Sequence, residues 1–467
     1  MPNSRVARNF LLLSAGELAA KVCTFWAYTS LGRGLGPARY GDIEFAISST
    51  LFFALFVQFG LGAYGARELA KAPDKANELI AEMCQLRLWT GAAAFGAMAL
   101  LALLVDKGTD SRLLLLAYGV TLLEVPGLLI WYFQGREQMA NAAWTSLVRH
   151  VVFAGLALTV MDASRPLWIV GIFEIIALGC TVVVGALLAG RLPLPRWNPA
   201  GTLSRLRASA GIGLAELAWA GLWFLPVVVY GFQRSDASVG WLGSAHRATL
   251  AIHTFVWWYF FNLLPVVSRC APDGVEELTA LLGRSMRLTL WGGFFTAVCM
   301  TALARPLVGL AYGDAFGPAG PLLALLIWTI PLSVVSGHYR NVLIGFDRQR
   351  ALLFCTGLSA LASAVTTAYL ASSYGAQGAV MGLLIGNAVL AASTAWAVNR
   401  SVMPVGSWTV AWAPTASAAV ACAVLWFVRE NNPYVAGAAA ATVFAALFAA
   451  VERKELAKLG SELAARI

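Results

Sequence analysis

The stretch NFLLLSAGELAAKVCTFWAYTSLG, residues 9–32, is apolar enough and long enough to cross a bilayer, yet it carries Glu17 and Lys21 one helical turn apart. Residues 209–232, SAGIGLAELAWAGLWFLPVVVYGF, repeat its Glu-Leu-Ala core with Glu216 in the place of Glu17. Glu17 lies 24 residues before Gly41, and Glu216 lies 24 residues before Gly240. Thr50-Leu51 and Thr249-Leu250 match in the same register. An ionisable side chain in hydrocarbon is costly and faces a partner or a wet cavity. Two of them at equivalent places in two halves predict a transporter built from repeated helical bundles around a central site.

Composition agrees with that class. Hydrophobic residues make up 59% of the 467 and charged residues 12%, and the mean hydropathy is +0.71. A soluble domain of this size needs more surface charge, so the chain reads as an all-α integral membrane protein. Apolar spans recur near 9–31, 41–64, 84–105, 113–134, 142–161, 167–190, 209–232, 239–267, 286–310, 319–345, 351–371, 377–398, 408–428 and 434–451, which makes about fourteen transmembrane helices. The linker 191–208, with three prolines and four arginines, divides them. The expected organisation is an N-terminal lobe over 1–195, a C-terminal lobe over 196–400, and a C-terminal helix pair with a basic tail over 401–467.

The net charge of +9 is distributed as a membrane protein requires. With the N-terminus in the cytoplasm, roughly twenty Lys/Arg collect in inner loops against roughly eight in outer ones. Both termini are then cytoplasmic, and the basic loops meet anionic lipid. No long soluble stretch remains for a nucleic-acid-binding domain. The first span is too long for a signal-peptide core and reads as an uncleaved helix. Seven scattered cysteines form no CxxC pair and read as packing residues, so no metal site is expected.

Polar residues inside the spans nominate a site. Ser14, Glu17, Lys21, Thr24 and Tyr28 step by three and four residues and share one helical face. Glu216, Trp219, Trp223 and Tyr230 share another, where aromatic planes suit the apolar faces of sugar rings. His246, Arg247 and His253 lie in the eighth span, Arg149 in the fifth, and His338 and Arg340 toward the end of the tenth. Arginine holds phosphate oxygens with a fork of donors and stays charged. The expected substrate-binding set is therefore Lys21, Arg149, Arg247, Arg340, His246, His253, Trp219, Trp223 and Tyr28, with Glu17 and Glu216 as ion-coupling candidates. The competing reading of Arg149 and Arg247 is a buried pair with Glu124, Glu174 or Glu216. For Arg340 it is a side chain reaching the membrane surface. Pro126, Pro226, Pro265 and Pro331 fall inside spans and predict kinks, read either as packing irregularities or as hinges.

No catalytic constellation is visible. There is no GxxxxGK[ST] loop, GxSxG or HExxH motif. The outer loops, such as DASRP and QRSDAS, are too short to carry an active-site domain. The chain reads as a non-enzyme without cofactor.

LGRGLGPARYGDIEFAISSTLFFALFVQFGLGAYGARELAK (31–71) resembles the first-to-third-helix region of the bacterial polysaccharide flippases, the oligosaccharidyl-lipid branch of the multidrug/oligosaccharidyl-lipid/polysaccharide (MOP) exporter superfamily. WYFQGREQM (131–139), ASVGWLGSAHR (237–247), AYGDAFGPAGPLLALLIWTIP (311–331), NVLIGFDRQR (341–350) and YGAQGAVMGLLIGN (374–387) resemble later segments of that family in the expected order. The resemblance implies two pseudo-symmetric six-helix lobes forming a V around a cationic cavity, here followed by two further helices. It implies outward transfer of an undecaprenyl-pyrophosphate-linked oligosaccharide by alternating access in a bacterial cytoplasmic membrane, coupled to an H+ or Na+ gradient. The implied partners are that lipid-linked sugar, membrane lipids and the polysaccharide polymerase or export components. The alternatives are a lipid II flippase, a cation–drug antiporter, a membrane glycosyltransferase or ligase, and a scaffold of the export machinery.

Overall fold

Two glycines kink the two longest helices. Helix α1 (Pro2–Gln58) is interrupted at Gly36, with φ 75° and ψ 168°. Helix α13 (Gln349–Ser401) is interrupted at Gly375, with φ 58° and ψ −137°. Both conformations exclude a Cβ, so only glycine turns the chain there without strain. In the computed structural model of this chain, residues 2–72, 74, 76–190, 198–270, 275–402, 407–428 and 432–453 are described.

The remaining helices are α2 (Leu61–Lys71), α3 (Ala76–Leu104), α4 (Thr109–Val120), α5 (Ile130–Gly135), α6 (Met139–Val160), α7 (Trp168–Ala189), α8 (Pro199–Gln233), α9 (Ala237–Cys270), α10 (Val275–Tyr312), α11 (Ala319–Leu326), α12 (Thr329–Gly345), α14 (Ser407–Phe427) and α15 (Pro433–Val451). Among the described residues no strand occurs. Lipid offers the backbone no hydrogen-bond partner, so each span satisfies its own amides by coiling. Eleven segments are long and apolar enough to cross a membrane, and two of them, of 54 and 53 residues, are each long enough to cross twice. With α9 added, this architecture is consistent with fourteen crossings.

Two of the kinks expected at prolines are complete breaks. The fourth span runs as α4, then two 3-10 turns at Thr121–Leu123 and Val125–Gly127 containing Pro126, then α5. The tenth is divided between α11 and α12, with Pro331 in the first turn of α12. Pro226 stays within continuous α8, and the side chain of Pro265 lies outside the described residues.

The chain divides into two units, residues 1–243 with 367–379, and residues 244–366 with 380–467. In the first, α1 packs on α6 and α8, α6 on α7, α7 on α4, and α2 on α5. Leu61, Leu69, Met83, Leu86, Trp131 and Phe133 build one of its cores. In the second, α10 packs against α11, α12, α14 and α15. Trp291 of α10 meets Phe444 and Phe448 of α15 edge to face, each at 5.2 Å. Its indole N–H donates to Glu452 at 2.8 Å, and Arg287 pairs with the same carboxylate at 2.6 Å. The end of α15 is thus held to α10 by charge-assisted hydrogen bonds to Glu452 as well as by aromatic packing.

Candidate functional site

The polar stripe of the first span turns toward protein at Thr24 and Tyr28. Tyr28 is buried and stacks on Phe153 of α6 with ring centroids 5.2 Å apart. Thr24 gives its hydroxyl hydrogen to the Ala20 carbonyl at 2.8 Å, leaving its oxygen to accept from His150 Nδ1, also at 2.8 Å. Lys21 is exposed. The side chain of Glu17 lies outside the described residues.

Next to His150 on α6, Arg149 is ion-paired with Glu174 of α7. Its Nε donates to Glu174 Oε1 at 2.6 Å, and Nη2 donates to the same oxygen. The Glu174 side chain is 5% exposed. Glu124, placed by the break in the fourth span, lies within electrostatic range of both groups, and its buried Oε2 has no hydrogen-bond partner among the described residues. The cluster sets two carboxyl groups against one guanidinium, so neutrality there requires one proton or one further cation.

A second charged group forms where two broken spans approach α3 and α8. The second span ends at Phe59-Gly60, and Gly60 (φ 71°) caps the N-terminus of α2. The Gly60 N–H donates to Glu216 Oε2 at 3.2 Å. The N-terminal end of a helix carries partial positive charge and unpaired N–H groups, so a carboxylate there is stabilised. Arg87 of α3 is 3% exposed. Its Nη1 donates to the Leu128 carbonyl at 3.1 Å, an oxygen released by the break between α4 and α5. Its Nε has no hydrogen-bond partner among the described residues, and Arg87 and Glu216 lie in one another's field. Trp219 and Trp223, further along α8, have ring centroids 6.4 Å apart. Trp223 is buried and Trp219 half-buried.

In the second unit His246 and His253 are buried and Arg247 half-buried, while Arg340 is exposed. His253 Nε2 meets Thr329 Oγ1 at 3.0 Å. His338 Nδ1 meets the Val334 carbonyl at 2.8 Å, so that nitrogen carries the hydrogen and Nε2 accepts from Ser285, also at 2.8 Å. The Tyr259 hydroxyl completes the chain to Ser285 at 2.5 Å. Within this unit His253 and His338 act as helix-to-helix connectors. Within the first unit Tyr28, Arg149, Glu216, Trp219 and Trp223 lie on α1, α6 and α8.

Polar contacts also fix the ends of the first unit's helices. Arg205 Nε pairs with Glu82 Oε2 at 2.8 Å and its Nη1 reaches Tyr64 Oη at 3.0 Å. Asn198 caps α8 through Gly201 N–H at 3.1 Å and donates to Glu82 Oε1 at 3.0 Å. Lys107 pairs with Asp42 at 2.8 Å, and Ser111 donates to the other oxygen at 2.6 Å. Among the described residues no group of three His, Cys, Asp or Glu converges on a metal position.

Sequence reasoning missed Arg87 and Glu82. Arg87 stands three residues inside the predicted span 84–105, where the cost of an intramembrane charge marks it as clearly as it marks Glu17. Glu82 precedes that span and looked like a loop residue, because nothing local foretells its contact with Arg205.

A family model described as "Polysaccharide biosynthesis protein" matches residues 6–271. The "Putative O-antigen transporter" of Escherichia coli (strain K12) is 22% identical over 378 residues, covering 76% of this chain and 88% of that protein. Among solved structures, the lipid II flippase MurJ in an inward closed conformation superposes with a TM-score of 0.74 at 10% identity, covering 96% of this chain and all of that one. An inward-facing multidrug resistance MATE family transporter of the MOP superfamily gives 0.67 at 15% identity, covering 84% and 98%. At these identities the structural likeness is one of fold.

Proposed function

The chain belongs to the polysaccharide biosynthesis protein family, and from that membership we propose that it is a flippase for an undecaprenyl-pyrophosphate-linked oligosaccharide. It moves the repeat unit from the cytoplasmic to the outer leaflet of a bacterial inner membrane, with both of its own termini in the cytoplasm. A pyrophosphate and its sugars cannot cross hydrocarbon unaided at a useful rate, whereas a bundle with cations inside its spans lowers that barrier while the lipid tail stays in the bilayer. Two six-helix lobes, 1–195 and 196–400, alternate access, with 401–467 as an accessory helix pair.

The observation that carries this reading is the presence of charged groups held inside the spans of a polysaccharide-family membrane protein. Arg149 with Glu174 and Glu124, and Arg87 with Glu216, are polar positions that apolar packing alone would not require. The cluster of two carboxyl groups and one guanidinium is a place for an H+ or Na+ gradient to act, beside Glu17 and Glu216. Lys21, Arg247, Arg340, His246, His253, Trp219, Trp223 and Tyr28 remain the proposed headgroup and sugar contacts.

The test is transport of radiolabelled undecaprenyl-pyrophosphate oligosaccharide in proteoliposomes, with and without an imposed pH or sodium gradient. Protein-dependent movement supports the flippase, and acceleration by one gradient identifies the coupling ion. No movement with correctly inserted protein over several sugar headgroups overturns the reading.

A further inference from the structure

The two halves of α13 enclose an apolar groove in the second unit. Phe354 and Trp396 stand 21 residues before and after Gly375. Both line one cavity of about 430 Å³, so the halves run antiparallel beside each other there. Phe354 and Trp396, 68% and 60% exposed, are its walls, and the small residues Cys355 and Ser393 lie deeper between them. The Ser393 hydroxyl donates to the Leu390 carbonyl at 3.3 Å, which satisfies it within its own helix and keeps the lining apolar. From Val389 to Trp396 the groove runs about 10 Å along the helix.

The groove opens away from the protein core. Leu352, Cys355, Ala397 and Val398 belong to one buried cluster on the other side of the same two half-helices. Phe354, Leu358, Leu361 and Val365 form an exposed stripe at helical spacing. A polar cavity would place polar residues on such a face, so an apolar stripe exposed on a span meets lipid. Charge gathers at one end of the groove. Arg350 precedes Phe354 by one turn on the same stripe. Arg400 follows Trp396 by one turn, and its guanidinium carbon lies over the Trp396 ring, 5.4 Å from the centroid. Each wall therefore has an arginine at its mouth, and both arginines are exposed. Residues 347–350 and 399–402, the two chain ends that meet there, carry three arginines against one carboxylate, Asp347, a net charge of +2.

We propose that this groove binds an anionic phospholipid of the surrounding leaflet, with one acyl chain between Phe354 and Trp396 and the headgroup phosphate on Arg350 and Arg400. A guanidinium offers phosphate oxygens a planar fork of donors. Stacking on Trp396 holds the Arg400 fork in place before the lipid arrives, which lowers the ordering cost of binding. A zwitterionic lipid fills the same groove but brings its own cation against the net positive charge, so the site discriminates by headgroup. The proposal needs only that α13 spans the membrane, and it stands independently of the flippase reading.

The test titrates the purified full-length chain in detergent with phosphatidylglycerol or phosphatidylcholine and reads the lipid-bound fraction by native mass spectrometry. Phosphatidylglycerol should bind more tightly than phosphatidylcholine. Arg350→Gln/Arg400→Gln should weaken phosphatidylglycerol about tenfold and remove the preference. The control Arg67→Gln/Lys71→Gln removes the same charge from α2 and should leave it intact. Ala392→Leu keeps every charge and fills the groove from an exposed position on its lining, so folding is safeguarded, and it should also weaken binding. Equal affinity for the two lipids, an Arg350→Gln/Arg400→Gln protein that binds as the control does, or an Ala392→Leu protein that binds as wild type does overturns the proposal. Displacement of phosphatidylglycerol by an equimolar amount of undecaprenyl diphosphate would give the groove to a polyprenyl lipid instead and overturn it as well.

Discussion

Gly41 and Gly240, equivalent positions of the internal repeat, pack backbone against backbone: a Cβ on Gly41 would stand 2.7 Å from the Gly240 amide nitrogen. A Cβ on Gly240 would stand 2.0 Å from the Pro37 carbonyl oxygen. The two repeat copies of this glycine meet each other. Absence of a side chain on both sides is what allows the second half of α1 to touch the start of α9.

Gly41→Ala and Gly240→Ala should therefore each destabilise the protein by about 1–3 kcal/mol, the usual cost of overpacking against atoms that cannot yield. Gly34→Ala, where a Cβ meets nothing within 4 Å, is the matched control. Thermal midpoints in detergent decide this, and a Gly240→Ala protein as stable as Gly34→Ala would contradict it.

Gly36 and Gly375 should tolerate substitution poorly for a different reason. Their backbone conformations, rather than their neighbours, exclude a Cβ. Space is open around Gly36, so Gly36→Ala isolates the backbone term at about 1–3 kcal/mol. Expression and midpoint measurements should show a loss despite the open space.

Arg149→Ala leaves the 5%-exposed Glu174 carboxylate without its partner, and should cost about 3–5 kcal/mol. The double variant Arg149→Ala/Glu174→Gln removes both charges and should recover most of that stability. If the Arg149 charge serves transport, the double variant folds but still fails to flip substrate. Recovery of both stability and transport would assign Arg149 to structure alone.

The start of α8 depends on Glu82. Glu82→Gln weakens the pair with Arg205, and Asn198→Ala removes the cap at a cost of about 1 kcal/mol. Hydrogen exchange should rise in the first turns of α8 and stay unchanged in α6 and α7. Uniform exchange across the unit would contradict a local fastening.

Outside the spans, Ser164 sets the charge state of Asp162. Hydrogen bonds from the Ser164 hydroxyl, then from its amide, with a smaller contribution from Arg165, hold the carboxyl below its ordinary range. A lowered folded pKa gives stability that is present above the unfolded value and lost as pH falls through the folded one. Order in the 161–166 turn should thus persist from neutral pH down into the carboxylate range and fail only below it. In Asp162→Asn, amide exchange of Ser164 should lose this acid-side transition.

Part of this architecture was legible in local order. Hydropathy located the spans because lipid forces backbone self-satisfaction, and the Glu17–Gly41 and Glu216–Gly240 spacing revealed the repeat. A second repeat, Gly135-Arg136-Glu137 and Gly345-Phe346-Asp347, emerged only from geometry. Glu137 and Asp347 take positive φ, at 57° and 54°, and each is followed by an amide donating five residues back, Gln138 to Phe133 at 2.8 Å and Arg348 to Leu343 at 2.7 Å. The acidic residues differ and the neighbours differ, so the sequences hide what the hydrogen bonds share.

The sequence by itself determined the class, the helical spans, the family and the presence of charge within the membrane. Class, spans and intramembrane charge follow from composition and periodicity, which act residue by residue, whereas the family follows from the resemblance of whole segments such as 31–71. Partnership was decided only in three dimensions. Arg149 faces Glu174 from 25 positions away, Glu216 caps a helix that begins 156 positions earlier at Gly60, and Arg87 finds a carbonyl freed by the break in the fourth span. A buried charge announces that it needs a counterpart, but the packing of helices distant along the chain selects which one.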